Sequence, residues 1–162
     1  MSIRWRVEAL WGPRKEDVHS SAKRLMSYFN ELALFSDVYR NWYPKAKSYK
    51  AAMKKSSINH ESLDELVERL NAGRNRTDTD RRIIEELGYS VGYWNKQPEA
   101  ASCSVYVSCG GYSERVPNYV EIDLPERQSI IGSQEKIRQM ILIHVKAWEP
   151  DWASLYRCER ST

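Results

Sequence analysis

Apolar and polar positions alternate from the start of the chain. Ile3, Trp5, Val7 and Ala9 interleave with Arg4, Arg6 and Glu8, the period of a half-buried strand. Gly12-Pro13 breaks the run, and Pro13 suits the first turn of a helix. Val18, Ala22, Leu25, Phe29 and Leu32 recur at steps of four and three, which predicts an amphipathic helix over residues 14–35. Residues 37–58 predict a short extended piece to Tyr43, a break at Pro44 and a short helix from Ser48. Asn59 suits the cap of a further helix carrying Leu63, Leu66, Val67 and Leu70 on one side, with Gly73 at its C′ position.

Thr77-x-x-Asp80 matches a capping box, so Ile83, Ile84 and Leu87 are expected on the buried side of a helix ending at Gly88. Period-2 patterns follow. Tyr89, Val91 and Tyr93 share one face, with Ser90 and Gly92 on the other, where close packing is expected. Cys103, Val105, Val107 and Cys109 form a second alternation, and Val120, Ile122 and Leu124 a third, set against Glu121 and Asp123 and closed by Pro125. Gly110-Gly111 reads as a hairpin turn and Pro117-Asn118 as another turn. A helix is predicted from Ser133 to Ala147, with Ile137, Ile141, His144 and Trp148 on one side, and an edge strand from Trp152 to Cys158. Together these predict an α+β fold: a single domain over residues 1–162, an antiparallel sheet of about four or five strands, and helices packed mainly on one face.

Composition agrees. A chain of 162 residues, 41% hydrophobic, can bury a sizeable core. No apolar run is long enough for a transmembrane helix, and the alternating first residues do not resemble a signal peptide. Three cysteines, Cys103, Cys109 and Cys158, fit reduced thiols in a cytoplasm better than a disulfide framework. The net charge of +3 is uneven. Residues 1–58 carry 12 Lys/Arg against 5 Asp/Glu, and residues 59–126 carry 7 against 13. The two blocks suggest differently charged surfaces.

Candidate chemistry is sparse. His19, His60 and His144 sit in no metal-ligand pattern, and His144, on an apolar helix side, reads as a satisfied buried histidine. Cys103 and Cys109 read as core thiols. No Walker, G-x-S-x-G or H-E-x-x-H pattern occurs. Glu121 and Asp123 lack the lysine that would complete a nuclease-like metal site, so a solvated sheet face is expected. The run from Arg40 to Lys55 is the best nucleic-acid signal, with Trp42, Tyr43 and Tyr49 among five lysines. It supports an alternative reading as a small nucleic-acid-binding or regulatory domain. The competing view turns those aromatics into the core. By elimination a binding protein is favoured over an enzyme, with no cofactor or metal.

The order of motifs resembles the immunity protein 52 family of bacterial polymorphic toxin systems. The likeness is carried by "NWYPKAKS" around Trp42 and Lys45, "GRNRTD" at residues 73–78, "ELGYSVGYWN" at residues 86–95, the serine-rich strand to Cys109 and Gly110, and "VEIDLP" at residues 120–125. The resemblance implies a cytoplasmic protein without catalytic residues that binds and blocks a cognate toxin. That toxin would typically carry a restriction-endonuclease-like domain and often be delivered by type VI or related secretion. In such a protein the acidic middle block would face the toxin's basic cleft through Glu85, Glu86, Glu121 and Asp123. Arg74, Arg76, Tyr93, Trp94 and Tyr112 are the anchor types available. The stretch from Gly73 to Asn95 reads first as structural punctuation, with Arg74, Arg76 and Asp78 as contacts if it has a second role.

Overall fold

In a computed structural model, which describes residues 3–125 and 133–159, the N-terminal alternation becomes strand β1 (Ile3–Trp11). Next come helix α1 (Val18–Phe35), the short strand β2 (Tyr43–Pro44) and helices α2 (Tyr49–Met53) and α3 (Leu63–Ala72). Strands β3 (Tyr89–Trp94), β4 (Ser104–Cys109) and β5 (Asn118–Leu124) are followed by helix α4 (Gln134–Trp148) and strand β6 (Trp152–Glu159). The six strands form one sheet in the order β2-β3-β4-β5-β1-β6, antiparallel throughout. The α+β class and the single antiparallel sheet stand as the patterning predicts. The strand number is six because the two-residue β2, too short to show a period, pairs with β3.

The alternations set which side of the sheet is buried. Val7, Ala9 and Trp11 of β1 lie on the same side as Ile122 and Val120 of β5, their register partners, and Val105 and Val107 of β4 continue the layer. Onto this side pack Leu25, Phe29 and Leu32 of α1, Leu66 and Leu70 of α3, and Met140 and Trp148 of α4. Trp11 stacks on Trp148 with ring centroids 5.5 Å apart, and Tyr93 meets Phe29 edge-on at 5.9 Å. The side chain of Ile3 lies outside the described residues.

Five local expectations are corrected. Helix α1 starts at Val18, not in the Pro13 turn. The preceding backbone is committed across the fold: Gly12 N donates to Asp151 (2.9 Å) and Arg14 N to the Gly111 carbonyl (2.9 Å). Asp17 then caps α1 by accepting from Ser20 N at 2.8 Å. Helix α3 is capped by Ser62, whose hydroxyl accepts from Glu65 N, while Asn59 makes a local turn by accepting from Glu61 N. Gly73 closes α3, but at φ −90°, so no left-handed backbone requires it. Its reason is space: a Cβ there would sit 2.1 Å from the Ser90 carbonyl oxygen.

The largest correction is at Thr77 to Leu87, which is not a helix. Isolated bridges join Arg74 to Tyr89 and Arg76 to Ile83, so the chain folds back as a hairpin-like loop before a single 3-10 turn over Glu85–Leu87. Thr77 and Asp80 do hydrogen-bond each other, and both accept from Arg82 N, which closes a loop where a capping box would open a helix. Gly88 follows in the left-handed region (φ 62°), with the Cys109 carbonyl against it. The Gly110-Gly111 turn is likewise part of a longer connection, residues 110–117, between β4 and β5.

Candidate functional site

The sequence-predicted binding residues separate into three places. Tyr93 lies in the core at 3% exposure. Arg74, Arg76, Asp78, Glu85, Glu86 and Tyr112 gather at one end of the sheet. Trp94, Glu121 and Asp123 lie on the face away from α1, α3 and α4.

The end surface is built by three loops. Asn118 ties two of them: its Nδ2 donates to the Gly12 and Gly111 carbonyls (2.9 and 3.0 Å), and its Oδ1 accepts from Gly111 N at 2.9 Å. The Glu86 carbonyl accepts from Tyr112 N and Ser113 N, drawing in the third loop. Asn75 pins that loop from within by donating to Leu87 O at 3.0 Å. Between the loops is a cleft of about 240 Å³ lined by Lys15, Arg74, Ile83, Glu85, Tyr89 and Tyr112, among others. The Arg74 guanidinium lies 5.4 Å from the Tyr89 ring centre, and Lys15 Nζ lies 4.9 Å from that of Tyr112. Glu16 is already engaged by Arg24 at 2.8 Å and Asp17 by its cap, leaving Lys15, Arg74 and Glu85 as the charges of the cleft. Arg76 and Asp78 are exposed on the loop beyond it, with Arg76 donating to Arg81 O at 3.0 Å.

The second surface follows from strand register. Side chains opposite one another on neighbouring strands share a face, so Tyr119, Leu10 and Trp152 form one row across β5, β1 and β6. Tyr106, Glu121, Glu8 and Ser154 form the next, and Asp123, Arg6 and Tyr156 a third. Arg6 holds two carboxylates: its Nε donates to Asp123 Oδ1 at 2.7 Å and its Nη1 to Glu121 Oε2 at 3.2 Å. Burial works against the Arg6 charge, but the hydrogen bond to Asp123 and the two carboxylate charges more than offset it and its pKa is raised. The Glu121 carboxyl is shifted upward, chiefly by burial; Arg6 opposes the shift, while Asp123 and Glu8 add to it. Glu8 stands directly opposite Glu121, a like-charge pair that disfavours the sheet. At the β3 edge the Tyr106 ring lies over Gly92, where a Cβ would come within 2.9 Å, as the Ser90/Gly92 pattern predicts. Lys45 caps that ring, and Tyr49 meets Trp94 edge-on at 6.3 Å.

The remaining chemical candidates are built into the scaffold. His144 is fully buried; its Nδ1 donates to the Met140 carbonyl (2.8 Å), so Nε2 accepts from the Tyr28 hydroxyl (2.9 Å). Burial lowers its pKa to about 4. Burial raises the Cys103 thiol well above its usual range and pushes Cys109 up to about 12. The Arg40–Lys55 run divides: Trp42 is fully buried and Tyr49 is 74% exposed. Among the described residues no group of three or more His, Cys, Asp or Glu is placed to hold a metal ion, and no helix is long and apolar enough to cross a membrane.

Lys15, Tyr89, Leu10, Tyr119 and Trp152 escape sequence reasoning. Each strand's outward positions are legible in its alternation, but their meeting depends on β1 lying between β5 and β6. The comparison with curated proteins gives no match. The family model described as Immunity protein 52 matches residues 4–159, from the first strand through the last. With both surfaces inside that match and all six strands covered by it but for Ile3, the chain belongs to the immunity protein 52 family.

Proposed function

We propose that this protein is a non-enzymatic inhibitor that binds a cognate toxin in the cytoplasm and neutralises it, protecting the producing cell and its kin. The toxin in this reading is a nuclease with a restriction-endonuclease-like domain, delivered by type VI or a related secretion system. The observation that carries the reading is the family match over residues 4–159, since membership implies a toxin partner. The burial of His144, Cys103 and Cys109 supports a role without chemistry: as placed, none can meet a substrate. A nuclease presents a basic phosphate-binding cleft, to which the exposed Glu85 and Glu86 offer carboxylates.

The test is calorimetric titration of the protein against the catalytically disabled toxin domain encoded beside it, paired with rescue of cells expressing the active toxin. The expected outcome is a one-to-one isotherm at nanomolar affinity or tighter, about −12 kcal/mol, with rescue. Flat heats and no rescue overturn the reading.

A further inference from the structure

We infer that β6 and α4 form the face of a weak symmetric homodimer, in which β6 pairs antiparallel with β6 of a second copy and the two α4 helices pack side by side across the twofold axis. The inference is separate from the toxin reading and is tested without a toxin. The two edges of the sheet differ. β2 is closed to addition: it is two residues long, contains Pro44 and is followed by Lys45. β6 pairs with β1 in unbroken register, with no proline, lysine or bulge, and among the described residues no strand lies on its other side. Such an edge presents unpaired backbone donors and acceptors to another chain. The helix layer also stops short of it. Val7 and Ala9 of β1 are 1% and 0% exposed, whereas Leu155 and Ala153, their register partners on β6, are only half-buried.

A second copy fits this edge because both elements are self-complementary, as a twofold contact requires. Helix α4 is seated on β1 and β6, outboard of α1. Its His144 turns to Tyr28 of α1 and its Trp148 to Trp11 of β1. Arg138, Leu142 and Val145, at helical steps of four and three, lie on the opposite side, with Leu142 and Val145 each 40% exposed. Set antiparallel beside its copy, that stripe places Leu142 against Val145 and brings Arg138 toward Glu149, opposite charges whose bridges to Glu135 and Arg24 leave both side chains exposed. The strands agree. Pairing centred on Ser154 puts a small outward side chain on the axis. It sets Trp152 opposite Tyr156, Ala153 opposite Leu155, and Asp151, held by Gly12 N at 2.9 Å, opposite Arg157. These are an aromatic pair, an apolar pair and an ion pair. Centred on Leu155 instead, Arg157 meets Ala153 and the ion pair is lost. Spacing agrees as well. Two α4 helices, each between β1 and β6, then lie about two strand spacings or roughly 10 Å apart, the separation of packed helices.

From Asp151 to Arg157 the edge runs about 23 Å, and the sheet with its helix layer stands about 20 Å high, a contact on the order of 450 Å² per copy in projection. A standard interface takes roughly 800 Å² from each partner, so the dimer is weak and forms near a concentration of about 100 μM. Sedimentation of the protein alone from about 5 to about 500 μM tests this. The expected mean mass climbs from the 19.0 kDa monomer toward twice that value. A Leu142→Glu/Val145→Glu variant is expected to melt like wild type but to need at least about tenfold more protein to associate. A Ser154→Cys/Cys158→Ser variant reads the register directly. Antiparallel neighbours at the axis have Cα atoms about 4.5–5.5 Å apart, within disulfide reach, so a thiol oxidant links two copies through residue 154. The control Leu34→Cys/Cys158→Ser, altered on α1, does not link. If the α4 variant fails to fold, the cross-link decides. A wild type that stays monomeric across the range overturns the inference, as does a dimer in which residue 154 does not cross-link. Backbone amides of β6 that exchange freely in the protein alone and gain protection only with the toxin assign the edge to the toxin and overturn it too.

Discussion

His144 shows how one residue's surroundings settle its role. Sequence puts it on the apolar side of a helix, and the structure completes the account with two hydrogen bonds and full burial. A neutral imidazole with a pKa near 4 in the folded state, against an ordinary 6.5, binds its proton less readily than in the unfolded chain. Its contribution is therefore fully present above pH 6.5 and is lost as the pH falls toward 4. At pH 5 the loss is about 2 kcal/mol, from about 1.4 kcal/mol per unit over the 1.5 units below 6.5. Urea unfolding from pH 7 to pH 5 checks this: the wild type loses that stability, and a His144→Gln variant loses distinctly less over the same range. Burial of this histidine was legible from the pattern of Ile137, Ile141 and Trp148. Its partner Tyr28 was not, because the two lie 116 residues apart in sequence.

Helix ends expose the limits of local signals at the scale of elements. Asn59 and Ser62 are both good capping residues by type, and only the docked position of α3 chooses between them. Because Ser62 accepts from Glu65 N, Ser62→Ala is expected to cost about 1 kcal/mol in denaturant unfolding, and Asn59→Ala less than about half of that. Equal costs would restore Asn59 as the cap. The Thr77–Asp80 pair teaches the same lesson more sharply. The same two side chains that open a helix in a capping box here close a loop, because bridges to Tyr89 and Ile83 claim the backbone on either side. The strands were more legible than the helix ends: the alternations over residues 5–9, 89–93, 103–109 and 120–124 each fall on a strand, with Val7, Ala9, Tyr89, Tyr93, Val105, Val107, Val120 and Ile122 on the buried side as expected, while Arg4 is buried against expectation.

Across the whole molecule the charge blocks of the sequence do not become two surfaces. The acidic middle block divides among α3, the end cleft and the open sheet face, and the last of these draws in Arg6 and Glu8 from the basic block. Reversing Glu85, Glu86, Glu121 and Asp123 together would therefore mix two surfaces and break the Arg6 bridges. Separate neutral substitutions keep them apart. Stopped-flow association with the toxin is expected to slow and to lose part of its salt dependence in a Glu85→Gln/Glu86→Gln variant, whose carboxylates are exposed, whereas Glu8→Gln/Glu121→Gln, on a face where Arg4, Arg6 and Lys45 offset the carboxylates, leaves the slope near that of wild type. The opposite ranking would move the steering charge to the sheet face.

By itself the sequence determined the α+β class, the inward side of β1, β3, β4 and β5, the burial of His144, Cys103 and Cys109, and the family. These rest on periodicity, residue type and motif order, which are local or additive along the chain. Only the tertiary structure decided the six-strand order, the loop where a helix was expected, and the meeting of Tyr119, Leu10 and Trp152 in one row. The physical reason is that an alternation says which side a residue takes but not which strand lies beside it. Pairing is settled by long-range hydrogen bonds and by the helices that claim the other face.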